Sequence, residues 1–158
     1  MNRRLLCVVF LGSFLLSLGV AMSADEPKEV ALPKMPKGAG KVDADAPKTL
    51  SATTSGLKYR VLRKGTGGKP MASDEVKVNY HGWFDDGKSF DSSYDRGTPA
   101  EFPLSGVIKG WTEGLQLVGE GGMIELEIPY ELAYGERGRP GIPPKSRLHF
   151  LVELIKVK

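Results

Sequence analysis

One stretch limits the folds open to this chain more than any other. In Val107-Ile108-Lys109-Gly110-Trp111-Thr112-Glu113-Gly114-Leu115-Gln116-Leu117-Val118, two β-branched residues lead into a glycine turn and then a short helical pattern. Trp111, Leu115 and Val118 fall at i, i+4 and i+7 and share one helix face. From residue 57 onward the texture otherwise turns to period two, apart from a loop rich in Tyr, Gly and Pro from Pro129 to Lys145. Leu57, Tyr59 and Val61 alternate with Lys58, Arg60 and, less cleanly, Leu62. Val76, Val78 and Tyr80 alternate with Lys77, Asn79 and His81. Asp86-Gly87 marks a hairpin turn into Ser89-Phe90-Asp91, and Phe102 with Leu104 forms a further short alternation. Ile124, Leu126 and Ile128, then Leu148, Phe150, Val152 and Leu154, complete the set. A single helical wall among strands predicts an α+β domain: an antiparallel sheet of about five strands half-wrapped around one short helix. An indole at the first turn of that helix is either core or the floor of an apolar pocket.

The ends of the chain read differently. Asn2-Arg3-Arg4 followed by apolar Leu5 to Val20 and small Ala21-Met22-Ser23 has the pattern of an export signal over residues 1–23. An uncleaved anchor is the alternative, but sixteen residues including Gly and Ser are short for a span of about 20. The one cysteine, Cys7, lies inside this segment, so a cleaved product has no thiol and uses no disulfide outside the cytosol. The expected location is periplasmic or extracellular. Residues 24–54 mix Pro27, Pro33, Pro36 and Pro47 with five lysines and five acids and show no hydrophobic period. Such a stretch buries too little apolar surface to offset its ordering entropy, and is expected to be a flexible tether on a monomer. The folded domain is assigned to residues 55–158.

Several chemistries find no support. Without Arg3 and Arg4, 20 bases face 19 acids, so no basic surface for nucleic acid is expected. His81 and His149 stand singly on strands with no ligand spacing around them, so no metal is expected. Gly119 to Gly122 precedes Met123 rather than Gly-Lys-Ser/Thr, which reads as a turn and not a phosphate loop. Asp85-Asp86 precedes Gly87 and reads as a solvated turn. No Gly-x-Ser-x-Gly elbow is present for a serine nucleophile.

What remains is a supply of aromatic and aliphatic residues where loops meet strands. Val78-Asn-Tyr-His-Gly-Trp-Phe-Asp-Asp-Gly-Lys-Ser-Phe-Asp-Ser-Ser93, Val107-Ile-Lys-Gly-Trp-Thr-Glu-Gly-Leu115, Ile128-Pro129 with Ala133-Tyr-Gly135, and Gly141-Ile-Pro-Pro144 occur in that order. In these motifs, over about residues 57–158, the chain resembles the FKBP-type peptidyl-prolyl cis-trans isomerases. The resemblance implies an enzyme without cofactor that accelerates rotation about X-Pro bonds in polypeptide clients. It also implies possession of a pocket that takes macrolides of the tacrolimus and rapamycin type. By the same resemblance Tyr80, Phe90, Asp91, Trp111, Tyr134 and Phe150 are the catalytic pocket residues. Val107, Ile108 and Ile142 contact substrate, and Arg96 joins Asp91 and Tyr80 in a cluster at the edge. Ala100 stands where the best-known cytosolic members carry phenylalanine, and Arg139 replaces a common loop histidine. The stretches 104–107 and 141–143 are shorter than in those members. Such changes alter the rim while leaving the floor. A peptide-binding chaperone or scaffold using the same groove without turnover is the competing expectation.

Overall fold

The computed structural model describes residues 28–158. The strands are β1 (Ser51–Ala52), β2 (Lys58–Arg63), β3 (Glu75–Trp83), β4 (Ser89–Ser92), β5 (Ala100–Pro103), β6 (Met123–Ile128) and β7 (Leu148–Val157). Two helices, α1 (Ser93–Arg96) and α2 (Lys109–Leu115), and two 3₁₀ turns (Leu104–Gly106 and Tyr130–Leu132) complete the described elements. The strands form one antiparallel sheet in the order β1-β2-β6-β7-β3-β4, with β5 also pairing β3. The α+β architecture is the one expected, with seven strands rather than about five. β3 accounts for part of the excess. Its N-terminal half pairs with β5 and its C-terminal half with β4, because the one-turn helix α1 interrupts what would otherwise be one strand.

The period-two residues explain the packing of one face. Val76, Val78, Tyr80, Ile124, Leu126, Ile128, Leu148, Phe150, Val152 and Leu154 are all buried in one cluster with Trp111, Leu115 and Val118 of the helix region. Helix α2 begins two residues before Trp111 and ends at Leu115, and the backbone at Gln116 keeps helical angles into the following turn. It lies close on the sheet because positions 110 and 114, one turn apart, are glycines. A Cβ on Gly110 would come within 2.4 Å of Ile128, and one on Gly114 within 2.6 Å of Leu126. The Thr112 hydroxyl donates to the Leu104 carbonyl at 2.6 Å and ties the helix to the preceding 3₁₀ turn.

The opposite face departs from the expected pattern. Arg60 and Leu62, on what reads as the polar side of β2, are buried, at 1% and 0% exposure. Leu62, Met123 and Leu151 form a second, smaller core with Met35, Ala39, Val42 and Ala46 against it. The described part of the expected tether is residues 28–54: residues 28–50 are laid across the sheet, and Ser51–Ala52 join it as β1. The Asp43 amide donates to the Leu62 carbonyl at 2.8 Å, and the Lys64 amide donates back to the Asp43 carboxylate at 2.8 Å. The Arg60 guanidinium pairs with Glu125 at 2.5 Å and donates to the Val30 and Ala31 carbonyls at 2.7 and 2.6 Å. The physical reason for the difference is that this strap makes few regular backbone bonds. Arginine side chains from the sheet satisfy its carbonyls, and its apolar contacts are single residues at irregular spacing. The expected signal segment, residues 1–23, and residues 24–27 lie outside the described residues. Among the described residues no helix is long and apolar enough to cross a membrane.

Candidate active site

A cavity of about 620 Å³ opens where β3, β4 and β7 meet the start of α2 and the loop after β6. Trp111 forms part of its lining and is 4% exposed. Three aromatic rings meet the indole edge-on: Tyr80 at 5.3 Å, Phe150 at 5.3 Å and Phe102 at 5.8 Å between ring centres, all within 10° of perpendicular. Phe90 stands edge-on to Phe150 at 5.5 Å. Edge-to-face geometry sets the positive rim of one ring against the negative face of the next, and each such pair adds about 0.5–1.5 kcal/mol beyond burial. These rings therefore brace one another around the cavity. The indole Nε1 is buried and has no hydrogen-bond partner among the described residues.

Glycine 82 makes this ring packing possible. It sits on β3 between Phe90 and Phe150, where a Cβ would come within 2.7 and 2.8 Å of their rings. A glycine inside an alternating strand signals close approach of another group, and that signal was available at His81-Gly82-Trp83.

One edge of the cavity is polar. The Tyr80 hydroxyl donates to the Asp91 carboxylate at 2.6 Å and accepts from Arg96 at 2.7 Å, while Arg96 also pairs with Asp91 through its other nitrogen. The guanidinium carbon lies 5.4 Å over the Tyr80 ring. Helix α1 presents Arg96. Its first turn is capped by the Ser92 hydroxyl, and the Ser93 hydroxyl accepts the Tyr80 amide at 2.9 Å. Burial pushes the Asp91 carboxyl up, but the Tyr80 hydroxyl and Arg96 more than offset this and hold it below its ordinary value. Burial, then the bond to Asp91, raises the Tyr80 phenol above its ordinary value. Both shifts move away from neutrality, so neither group exchanges its proton near pH 7.

The far rim is the loop after β6. Tyr134 lines the cavity, and its hydroxyl accepts an N–H from Arg139 at 3.2 Å with the guanidinium 5.0 Å over its ring. The phenol proton is left free to donate. Arg139 is itself fixed by a tight hairpin. Its amide donates to the Ile142 carbonyl at 2.9 Å, the Ile142 amide returns a bond at 2.8 Å, and Pro140-Gly141 makes the turn, with Gly141 at φ +85°.

Of the residues expected from the sequence, Tyr80, Phe90, Asp91, Val107, Ile108, Trp111, Tyr134 and Phe150 all line this one cavity. Ile142 is not in the lining; it is buried in the core behind the rim, at 7% exposure. Arg96 reaches the site through Asp91 and Tyr80 rather than by lining it. Phe102 and Lys109 line the cavity without having been expected to, and Arg139 lines it at the rim, where the resemblance put it. Phe102 reads only as half of a strand alternation, although its position facing the helix follows from that same alternation.

The sequence profile of the FKBP-type peptidyl-prolyl cis-trans isomerases matches residues 67–155. The chain belongs to that family. It is 55% identical over 111 residues to the FKBP-type peptidyl-prolyl cis-trans isomerase FkpA of Escherichia coli (strain K12), covering 70% of this chain and 41% of that protein. It is 52% identical over 112 residues to the peptidyl-prolyl cis-trans isomerase Mip of Coxiella burnetii, covering 70% of this chain and 47% of that protein. The chain thus spans about half the length, or less, of these curated FKBP relatives. The crystal structure of FkpA from Escherichia coli superposes with a TM-score of 0.68 at 55% identity, over 69% of this chain and 51% of that one. AtFKBP13 superposes with a TM-score of 0.64 at 39% identity, over 69% of this chain and 98% of that one. The FKBP fold accounts for the antiparallel sheet and the short helix beneath the cavity.

Proposed function

We propose that this chain is a peptidyl-prolyl cis-trans isomerase whose reaction takes place over Trp111. The carrying observation is an open cavity walled by perpendicular aromatic rings, with one carboxylate already paired at its edge. Rotation about an X-Pro bond meets a barrier of about 18–20 kcal/mol, because amide resonance places charge on the carbonyl oxygen and water favours that charge. A ring-lined cavity removes the water and favours the twisted, less polar transition state. A rate gain of about 10⁴ requires only about 5.5 kcal/mol. No bond is made or broken, and the cavity lining has no histidine, cysteine or serine among the described residues.

In this reading Trp111, Tyr80, Phe90 and Phe150 enclose the proline ring, with Val107 beside them. The Tyr134 hydroxyl, free to donate, and the Ile108 backbone N–H hold peptide carbonyls. Asp91, held by Arg96, polarises the pocket and exchanges no proton. The charged start and apolar run within residues 1–23 support export, which makes exported polypeptides the clients of a monomeric enzyme. A rapamycin-like macrolide would compete for the same cavity.

A protease-coupled assay on a proline tetrapeptide tests this. Acceleration of the slow cis-to-trans phase, abolished by a macrolide of that type, is the expected result. Binding of the peptide with no acceleration would leave a binding module in place of an enzyme.

A further inference from the structure

The mouth of the cavity is unequal in charge. Lys109, at the start of α2, and Arg139, at the tip of the rim hairpin, both line it and both are exposed. The single acid in the lining is Asp91, and Arg96 already neutralises it. The acids nearest in sequence to the two cations are engaged elsewhere. Glu113, one helical turn from Lys109, accepts the Ser55 hydroxyl at 2.7 Å. Glu136, in the Arg139 loop, pairs with Lys145 at 3.3 Å. Neither Lys109 nor Arg139 forms an ion pair with any of the described residues. Arg139 is also pre-organised. Its hairpin fixes the backbone, and the Tyr134 ring and hydroxyl fix the guanidinium, so little side-chain freedom is left to lose when a ligand is bound.

From this we infer that the site selects proline-containing segments with an acidic residue flanking the proline. The inference rests on the cavity being the proline site. Asp91 and Arg96 offer a bound peptide almost no net charge, and the aromatic floor offers none. The charge preference of the rim therefore falls to Lys109 and Arg139. A carboxylate beside the proline comes under two cations with no competing acid, whereas a lysine there meets both repulsively. Exposed pairs of this kind are worth about 0.2–1 kcal/mol each. Two acting in opposite directions on Glu and Lys give a ratio of about tenfold in kcat/KM. Steering of the encounter by the same charges adds to the rate at low salt.

Six tetrapeptides test it, with Glu, Leu or Lys placed immediately before or immediately after the proline. Turnover is measured at low and high salt on the full chain and on the double variant Lys109→Gln/Arg139→Gln. The expected result is a Glu-to-Lys ratio of about tenfold at one flank or both, falling to about twofold in the double variant and in about 0.5 M salt. A ratio near one at both flanks overturns the inference, and so does a ratio the double variant leaves unchanged. Turnover of the Leu peptides reports separately on the isomerase reading. If none of the six is turned over, the same peptides are titrated by tryptophan fluorescence, and equal affinity for Glu and Lys peptides overturns the inference on binding alone. Circular dichroism establishes that the double variant is folded.

Discussion

The two faces of the sheet solve opposite problems with the same strands. On the helix side, β3, β6 and β7 present aliphatic and aromatic residues that pack on α2 and stop short at one end, leaving an open cavity. On the other side, the small core of Leu62, Met123 and Leu151 is closed by the strap of residues 28–50. The first face is held by ring packing and two close-approach glycines of α2. The second is held by charge: Arg60 with Glu125, and Arg63 with Glu153, whose carboxylate also accepts the Gly40 amide at 2.9 Å and the Tyr94 hydroxyl at 2.5 Å. The difference teaches that one sheet can leave a cavity open on one face while its other face is closed by a segment with no regular structure.

The largest expected effect comes from breaking the back. Arg60→Ala leaves Glu125 buried without its cation and the Val30 and Ala31 carbonyls without a donor. Removing one partner of a buried pair costs about 3–5 kcal/mol, read as a loss of unfolding free energy in urea. The folded fraction should keep its activity, since neither residue lines the cavity. A loss below about 1 kcal/mol would mean that the strap contributes little to the back of the sheet.

Next comes the cup itself. Gly82→Ala drives a methyl into Phe90 and Phe150, and overpacking of this kind costs about 1–3 kcal/mol. Because the displaced rings are cavity walls, turnover should fall further than stability. Asp91→Ala makes the same point from the polar edge. Asp91 is exposed, so stability should change by less than about 1 kcal/mol, while kcat/KM falls by about tenfold or more as Tyr80 and Arg96 lose their common partner. Full activity in Asp91→Ala would refute its assigned role.

How much of this was legible depends on which face is considered. The cup was legible chiefly through resemblance: the periods put Trp111 on one helix face with Leu115 and Val118, and Tyr80 and Phe150 each on one face of its own strand, while their meeting in one pocket was implied by the likeness to the FKBP-type isomerases. Gly82 was missed, although a glycine within an alternating strand is a readable signal. The back was not legible. Arg60 reads as a solvated residue alternating with Tyr59 and Val61, and only the folded strap, brought round from thirty residues earlier, turns it into a buried anchor. Met35, Ala39, Val42 and Ala46 carry no period because each makes its contact from irregular backbone.

Acid separates the faces less sharply. Burial pushes the Glu153 carboxyl up, but Tyr94, Arg63 and the Gly40 amide together hold it below its ordinary 4.5. Asp91 is likewise below its ordinary 3.8. A carboxyl lowered on folding adds stability that is present above its unfolded value and lost as pH falls through the folded one. Stability should therefore be level near neutrality and decline below about pH 4.5. Turnover should be flat from pH 6 to 8, because Asp91 and Tyr80 are shifted in opposite directions out of that window. A steep titration of kcat/KM between those limits would mean that a proton is exchanged in the reaction.

The smallest effect is also the cleanest discriminator. The chain has two tryptophans, and the sheet divides them: Trp111 lines the cavity, while Trp83 packs against the strap-side cluster and stacks on His149 at 5.7 Å between ring centres. Trp83→Phe keeps an aromatic ring on the back and should leave kcat/KM within about twofold, since a conservative aromatic swap disturbs packing by less than about 1.5 kcal/mol. In that variant the remaining emission belongs to Trp111 and should change on titration with a proline peptide. In Trp111→Phe the remaining emission belongs to Trp83 and should not respond to peptide, yet should respond when Arg60→Ala is added. If peptide moved both tryptophans equally, the two faces would be coupled through the sheet, and the back would take part in binding instead of merely supporting it.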